Sequence, residues 1–132
     1  MMERKTAVAD DPMLYRELSF RIIGAAIEVH KTLGPGFVES VYEEALTQEF
    51  AARGIPFERQ RSFEVHYRDR LIGSFRTDIV VDDAIILELK AVTALNDLFK
   101  QQTLSYLKAS GLRLALLINF GGSKTETVRI IH

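Results

Sequence analysis

Apolar residues recur at helical spacing through Leu14, Leu18, Ile22, Ala25 or Ala26, Val29 and Leu33, which predicts a first helix of about six turns. Asp11-Pro12 has the form of its N-cap and first helical residue, and Gly34-Pro35-Gly36 ends it. A second helix is expected over residues 38–53, closed by Gly54, with Glu39, Tyr42, Leu46 and Phe50 on one face. The spacing then changes to two. Phe63, Val65 and Tyr67 alternate with Glu64 and His66, as in a half-buried strand over residues 57–67. Arg68-Asp69-Arg70 turns the chain into a second strand over 71–81, and Asp82-Asp83 turns it into a third over 84–90. AIILELK is apolar enough to be central in a sheet. A third helix over 95–110 ends at Gly111, and a buried strand over 112–120 follows at the distance of a β-α-β crossover. Gly121-Gly122 leads to a last short strand over 127–131.

Polar residues inside these apolar runs are the candidate chemistry. Asp78 interrupts the second strand, and Glu88 and Lys90 form an E-x-K triplet in the third. A carboxylate in a buried strand is costly unless paired, hydrogen-bonded or bound to a metal, and oxygen ligands suit Mg²⁺. Parity sets a condition. With a two-residue Asp82-Asp83 turn, Asp78 opposes Leu87 and Glu88 faces away; a three-residue turn or one bulge puts Asp78 opposite Glu88, with Lys90 on the same face. On the second helix, Glu39 falls on the face that carries the aromatics, and Glu43 lies one turn on. On the third, Gln102 and Tyr106 are one turn apart and can serve a common site. His30, alone near a helix C-terminus, is read as structural.

The chain has 132 residues, enough for one domain with a core of its own and too few for two. The expectation is a loose tail over residues 1–10 and a single domain over 11–132. No apolar run is long enough to span a bilayer, and MMERKTAVADD has no apolar signal core. There are no cysteines, so disulfides and thiolate zinc sites are excluded, in keeping with a cytoplasmic location. A net charge of −1 argues against holding nucleic acid by bulk electrostatics. Yet Arg53, Arg59, Arg61, Arg68, Arg70 and Arg76 stand against only Glu58, Glu64 and Asp69. That excess is either the solvated side of a hairpin or an edge that meets phosphates.

Five blocks in order resemble one family. Gly36-Phe37-Val38-Glu39-Ser40-Val41-Tyr42 matches the G-x-x-E-x-x-Y string that names the small bacterial GxxExxY proteins, of the PD-(D/E)XK nuclease superfamily. The similarity continues through Arg76-Thr77-Asp78, Ile86-Leu87-Glu88-Leu89-Lys90, Gln102-x-x-x-Tyr106-Leu107 and Leu116-Leu117-Ile118-Asn119-Phe120. The resemblance implies an α/β, restriction-endonuclease-like fold, a mixed β-sheet flanked by α-helices in the order α-α-β-β-β-α-β-β. It implies that Asp78, Glu88 and Glu39 hold Mg²⁺ or Mn²⁺ and that Lys90 assists the attacking water. Gln102 and Tyr106 would support the site or the nucleic-acid backbone. Thr77 stands where the motif name has proline. The implied activity is Mg²⁺-dependent hydrolysis of phosphodiester bonds, with DNA as partner and no membrane. Two other readings stay open: a non-catalytic nucleic-acid-binding or protein-interaction module on the same scaffold, and an RNA-directed hydrolase. A homodimer is also left open.

Overall fold

The computed structural model describes residues 14–132; the tail over residues 1–10 and the Asp11-Pro12 cap lie outside the described residues. Helix α1 (Arg16–Leu33) begins at Tyr15, whose backbone is left-handed (φ 50), so this helix starts later than its apolar spacing suggested. Ile22, Ala25, Ala26 and Val29 form its buried stripe. Helix α2 (Glu39–Ala52) buries Tyr42, Glu43, Leu46, Thr47 and Phe50. Strands β1 (Phe57–Tyr67), β2 (Arg70–Val81) and β3 (Ile85–Lys90) follow, then helix α3 (Asp97–Ser110), β4 (Leu114–Asn119) and β5 (Glu126–Ile131). Helix α3 begins where Asn96 Oδ1 accepts the Phe99 N–H at 3.0 Å, an N-cap bond. It ends at Gly111, whose φ of 78 is the left-handed C-cap that glycine adopts without strain.

The strands form one mixed sheet in the order β1-β2-β3-β4-β5, with β3 and β4 parallel and the other neighbours antiparallel. The parallel pair needs a crossover, and α3 provides it. Because helices cover both faces of the sheet there, β3 and β4 are buried almost end to end, which is why they read as unbroken apolar runs. One face packs Ile79, Val81, Ile85, Leu87 and Leu89 against Ile22, Tyr42, Leu46 and Phe50 of α1 and α2. The other packs Val80, Ile86 and Ala115 against Leu107 of α3.

Tyr42 has a specific task. Its ring stacks on Phe120 at 4.7 Å, and its hydroxyl donates to the Gly34 carbonyl at 2.6 Å and accepts from the Phe37 N–H at 3.3 Å. The last residue of G-x-x-E-x-x-Y thus fastens the turn between α1 and α2 to the sheet. His30 is structural, as read: buried, stacked on Phe120, with Nε2 2.9 Å from the Gly122 carbonyl oxygen.

The segment leaving β3 is pinned to the end of β4. Buried Asn119 accepts the Val92 N–H at 3.0 Å, donates to the Val92 carbonyl at 2.9 Å, and accepts the Gly121 N–H at 3.0 Å. The clamp leaves no room at Gly121, where an added Cβ would lie 2.7 Å from the Val92 carbonyl carbon and closer still to its N and O. Gly121→Ala is therefore expected to lower stability by about 1–3 kcal/mol, as overpacking against backbone does. Urea denaturation checks it; an unchanged midpoint would show that the clamp yields freely.

Candidate active site

The site forms where the sheet opens. The β2–β3 ladder runs Val81↔Ile85, Val80↔Ile86, Ile79↔Leu87 and stops. Beyond it, β2 stays with β1 as far as Tyr67↔Arg70, and β3 stays with β4 as far as Lys90↔Asn119. The register requires a loop of Asp82, Asp83 and Ala84. Asp82 and Asp83 both take left-handed backbone (φ 53), a conformation aspartate tolerates better than most residues. This is the three-residue turn that the metal-site parity demanded.

At the fork, side chains take over from the ladder. The Asp78 N–H donates to Glu88 Oε2 at 3.0 Å, and the Leu89 N–H donates to Asp78 Oδ2 at 2.7 Å. Each carboxylate satisfies the backbone of the opposite strand. Among the described residues, Asp78 Oδ1 and Glu88 Oε1 accept no hydrogen bond. Burial pushes Glu88 up from its ordinary 4.5 to about 8, and the Asp78 charge adds to the rise. Asp78 is also raised, first by burial and then by the charges of Glu43 and Glu39, while the Leu89 N–H and Lys90 oppose the rise. Two neighbouring acids with a free oxygen each, one buried and one half-buried, fit a hard divalent cation. Among the described residues, no three His, Cys, Asp or Glu side chains gather tightly enough to cage an ion unaided. The site therefore offers a pair of carboxylates, a donor set that suits Mg²⁺ completed by waters and phosphate oxygens.

Lys90 is partly buried at the end of β3, with Nζ 4.6 Å from the Phe99 ring centroid, so a cation–π contact with α3 holds the ammonium. Gln102 is exposed, yet it lines one hollow with Lys90, Phe99 and Ser105. Tyr106 is half-buried and stacks on Phe75 at 4.2 Å. Burial, and then the charges of Glu88 and Asp78, raise its phenol, which places it within electrostatic reach of both acids. Thr77 is buried and donates to the Arg61 carbonyl at 3.3 Å, a bond that a proline there could not make.

Glu39 differs from the expectation. It is exposed in the first turn of α2, and the buried acid of that helix is Glu43, 8% exposed. The face Tyr42, Leu46, Phe50 turns Glu43 inward beside Tyr42, whereas Glu39 lies at the open end of the helix. The Glu39 charge still acts on both Asp78 and Glu88. Glu43 is held by Arg59 Nε at 3.1 Å and by Gln60 Nε2 at 3.1 and 3.2 Å. Gln60 has a left-handed backbone (φ 52) in mid-strand. The kink lets Arg59 and Gln60 both reach α2, while Phe63 beyond them packs toward Tyr106 of α3. Gln60 had no part in the expected site, and Arg59 entered only as one of the arginines of an edge that meets phosphates. Their signal was faint: Glu58 to Ser62 is a run of polar residues with no alternation.

The strands of the mixed sheet thus fork around Asp78, with Glu88 and Lys90 on the neighbouring strand. The family model of the PD-(D/E)XK nuclease superfamily matches residues 16–130, and the chain belongs to that superfamily. No curated protein matches the chain. Among solved structures, one titled "Crystal structure of SSO0001" is similar with a TM-score of 0.47 and 15% identity, over 87% of this chain and 77% of that one. A likeness that slight adds nothing to the family match.

Proposed function

We propose that the chain is a divalent-metal-dependent nuclease of the GxxExxY type that hydrolyses phosphodiester bonds in DNA. The observation that carries this reading is the Asp78–Glu88 pair at the fork, each with an unused carboxylate oxygen, beside Lys90. Asp78 and Glu88 would hold Mg²⁺ or Mn²⁺, with Glu39 adding negative charge from α2. The ion, when bound, supplies Lewis-acid polarisation of a phosphoryl oxygen and a water of lowered pKa. The backbone N–H groups of Asp78 and Leu89 fix both carboxylates before any ligand arrives. Lys90, steadied on Phe99, offsets negative charge that builds on the phosphoryl group and orients the attacking water. Gln102, in the hollow beside Lys90, and Tyr106, within electrostatic reach of both acids, would steady the nucleic-acid backbone.

A binding module without catalysis would have no use for a buried Glu88 beside a half-buried Asp78, whose ionisation costs stability, and this favours the enzyme. Among the described residues, no helix is long and apolar enough to cross a membrane; a cytoplasmic location, which the lack of cysteine favours, is part of the proposal. Calorimetric titration of Mg²⁺ and Mn²⁺ into wild type and Glu88→Ala, then cleavage assays on single-stranded, duplex and branched DNA and on RNA, tests the reading. Expected are binding by wild type, much weaker binding by the variant, and cutting of DNA. No binding at millimolar metal would overturn the enzyme reading; binding without cleavage of any substrate would support the interaction module.

A further inference from the structure

A second polar hollow lies where the chain leaves β4. The parallel strands β3 and β4 end together at Lys90↔Asn119, the strand end at which open α/β sheets hold ligands. Gly121-Gly122-Ser123-Lys124-Thr125 then leads to β5. Between this loop and the last turn of α1 is a hollow of about 530 Å³, lined by Lys31, Lys124, Ser123, Thr125, His30 and Ile27 among others. No acid lines it. The nearest acids in sequence, Glu28 and Glu126, stay outside, and Glu28 instead accepts from Thr32 at 3.5 Å.

The polar groups of the hollow are unused. Among the described residues, Lys31 and Lys124 have no acidic partner, and the hydroxyls of Ser123 and Thr125 make no hydrogen bond. The wall behind them is fixed. His30 is only 7% exposed, and its Nε2–H donates to the Gly122 carbonyl at 2.9 Å. The Phe120 N–H donates to the Lys90 carbonyl at 2.8 Å while its ring stacks on His30, so the loop is tied to the strand that carries Glu88. Its composition is an independent sign. Glycine for close backbone approach, lysine for charge and Ser/Thr hydroxyls are the residue types that phosphate-cradling loops use. Here the loop runs into a strand and not a helix, so the lysines supply the charge.

We infer that this hollow is a phosphate site that takes a doubly charged phosphate monoester, borne either by the end of a nucleic-acid strand or by a small free compound. The charges match. Two lysines face the carbonyl end of α1, which subtracts about half a charge. A phosphate monoester carries about 1.5–2 negative charges at pH 7, whereas a backbone diester carries a single one. The volume leaves room for the group that bears the phosphate, and Ile27 offers that group an apolar wall. The site lies apart from the acidic pair and needs no metal, so it stands independently of the nuclease reading.

Calorimetry on metal-free protein in chloride buffer tests this. The probes are an oligonucleotide phosphorylated at either end, the same strand unphosphorylated, a mononucleotide and inorganic phosphate. Wild type is expected to bind the phosphorylated strand, the mononucleotide or both at least about tenfold more tightly than the unphosphorylated strand. Lys31→Ala and Lys124→Ala should each weaken that binding about tenfold. Ser123→Asp, which sets a like charge in the hollow, should abolish it, and Lys108→Ala on the exposed side of α3 should leave it unchanged. Thermal melts of the same samples confirm that each variant is folded, and all should bind Mg²⁺ like wild type. A preference for the phosphorylated strand over the mononucleotide and inorganic phosphate assigns the site to strand ends; equal affinities assign it to a free compound. Equal affinity for phosphorylated and unphosphorylated strands, full affinity in the Lys31/Lys124 double variant, or no binding of any probe at millimolar concentration would overturn the inference.

Discussion

Metal-free Glu88→Gln protein is expected to melt well above wild type at pH 9 and close to it at pH 4. Glu88 is 6% exposed, and burial raises it from 4.5 to about 8. A carboxyl raised in the folded state holds its proton more tightly there than in the unfolded chain. Its contribution to stability is therefore complete below pH 4.5 and is lost as pH climbs through 8. With one pKa unit worth about 1.4 kcal/mol, the loss approaches 5 kcal/mol as an upper bound. Glutamine keeps an oxygen to accept the Asp78 N–H and carries no charge, so the variant escapes this loss. At roughly 2–8 °C per kcal/mol for domains of this size, the difference in Tm is readily measured. Mg²⁺ should reverse the ranking at pH 8, because an ion that binds only the folded state raises its stability. The same variant should lose cleavage. Thermal melts from pH 4 to 9, with and without Mg²⁺, check the prediction; a variant less stable than wild type at pH 9 without metal would contradict the account of a strained acidic pair.

Lys90→Ala is expected to slow cleavage by about 10²–10³ while metal affinity hardly changes. Lys90 supplies no ligand oxygen, so Asp78 and Glu88 remain to hold the ion. Its ammonium is the nearby cation that lowers both acids, and a fixed charge held at a partly buried site acts mainly on the transition state. Removing an aimed donor from such a site typically costs that factor in rate. Single-turnover cleavage at saturating Mg²⁺, set beside calorimetric affinity, separates the roles. A rate loss that tracks a loss of metal affinity would make Lys90 a structural support for the carboxylates.

The order of elements was legible in the chain because each one announces itself by period: 3.6 through Ile22, Ala25 and Val29, two through Phe63, Val65 and Tyr67, and unbroken apolar runs in the strands buried on both faces. The central pair was legible too, because a carboxylate such as Glu88 in AIILELK has no bland place in a buried strand, and parity stated what the Asp82-Asp83 turn had to do. The fork itself was not. Nothing in the residues says that the β2–β3 ladder stops at Ile79↔Leu87, since that depends on β1 drawing β2 away while β4 holds β3. Likewise, helical spacing could not rank Glu39 against Glu43, because burial of a first-turn residue depends on what lies beyond the helix end. Nor could composition sort the arginines. Arg59 and Arg61 are neutralised by acids distant in sequence, Glu43 and Asp83, whereas Arg70 and Arg76 have no such acid among the described residues. Short-range periodicity is written residue by residue, but charge pairing and strand divergence arise between segments that meet only when the chain has folded.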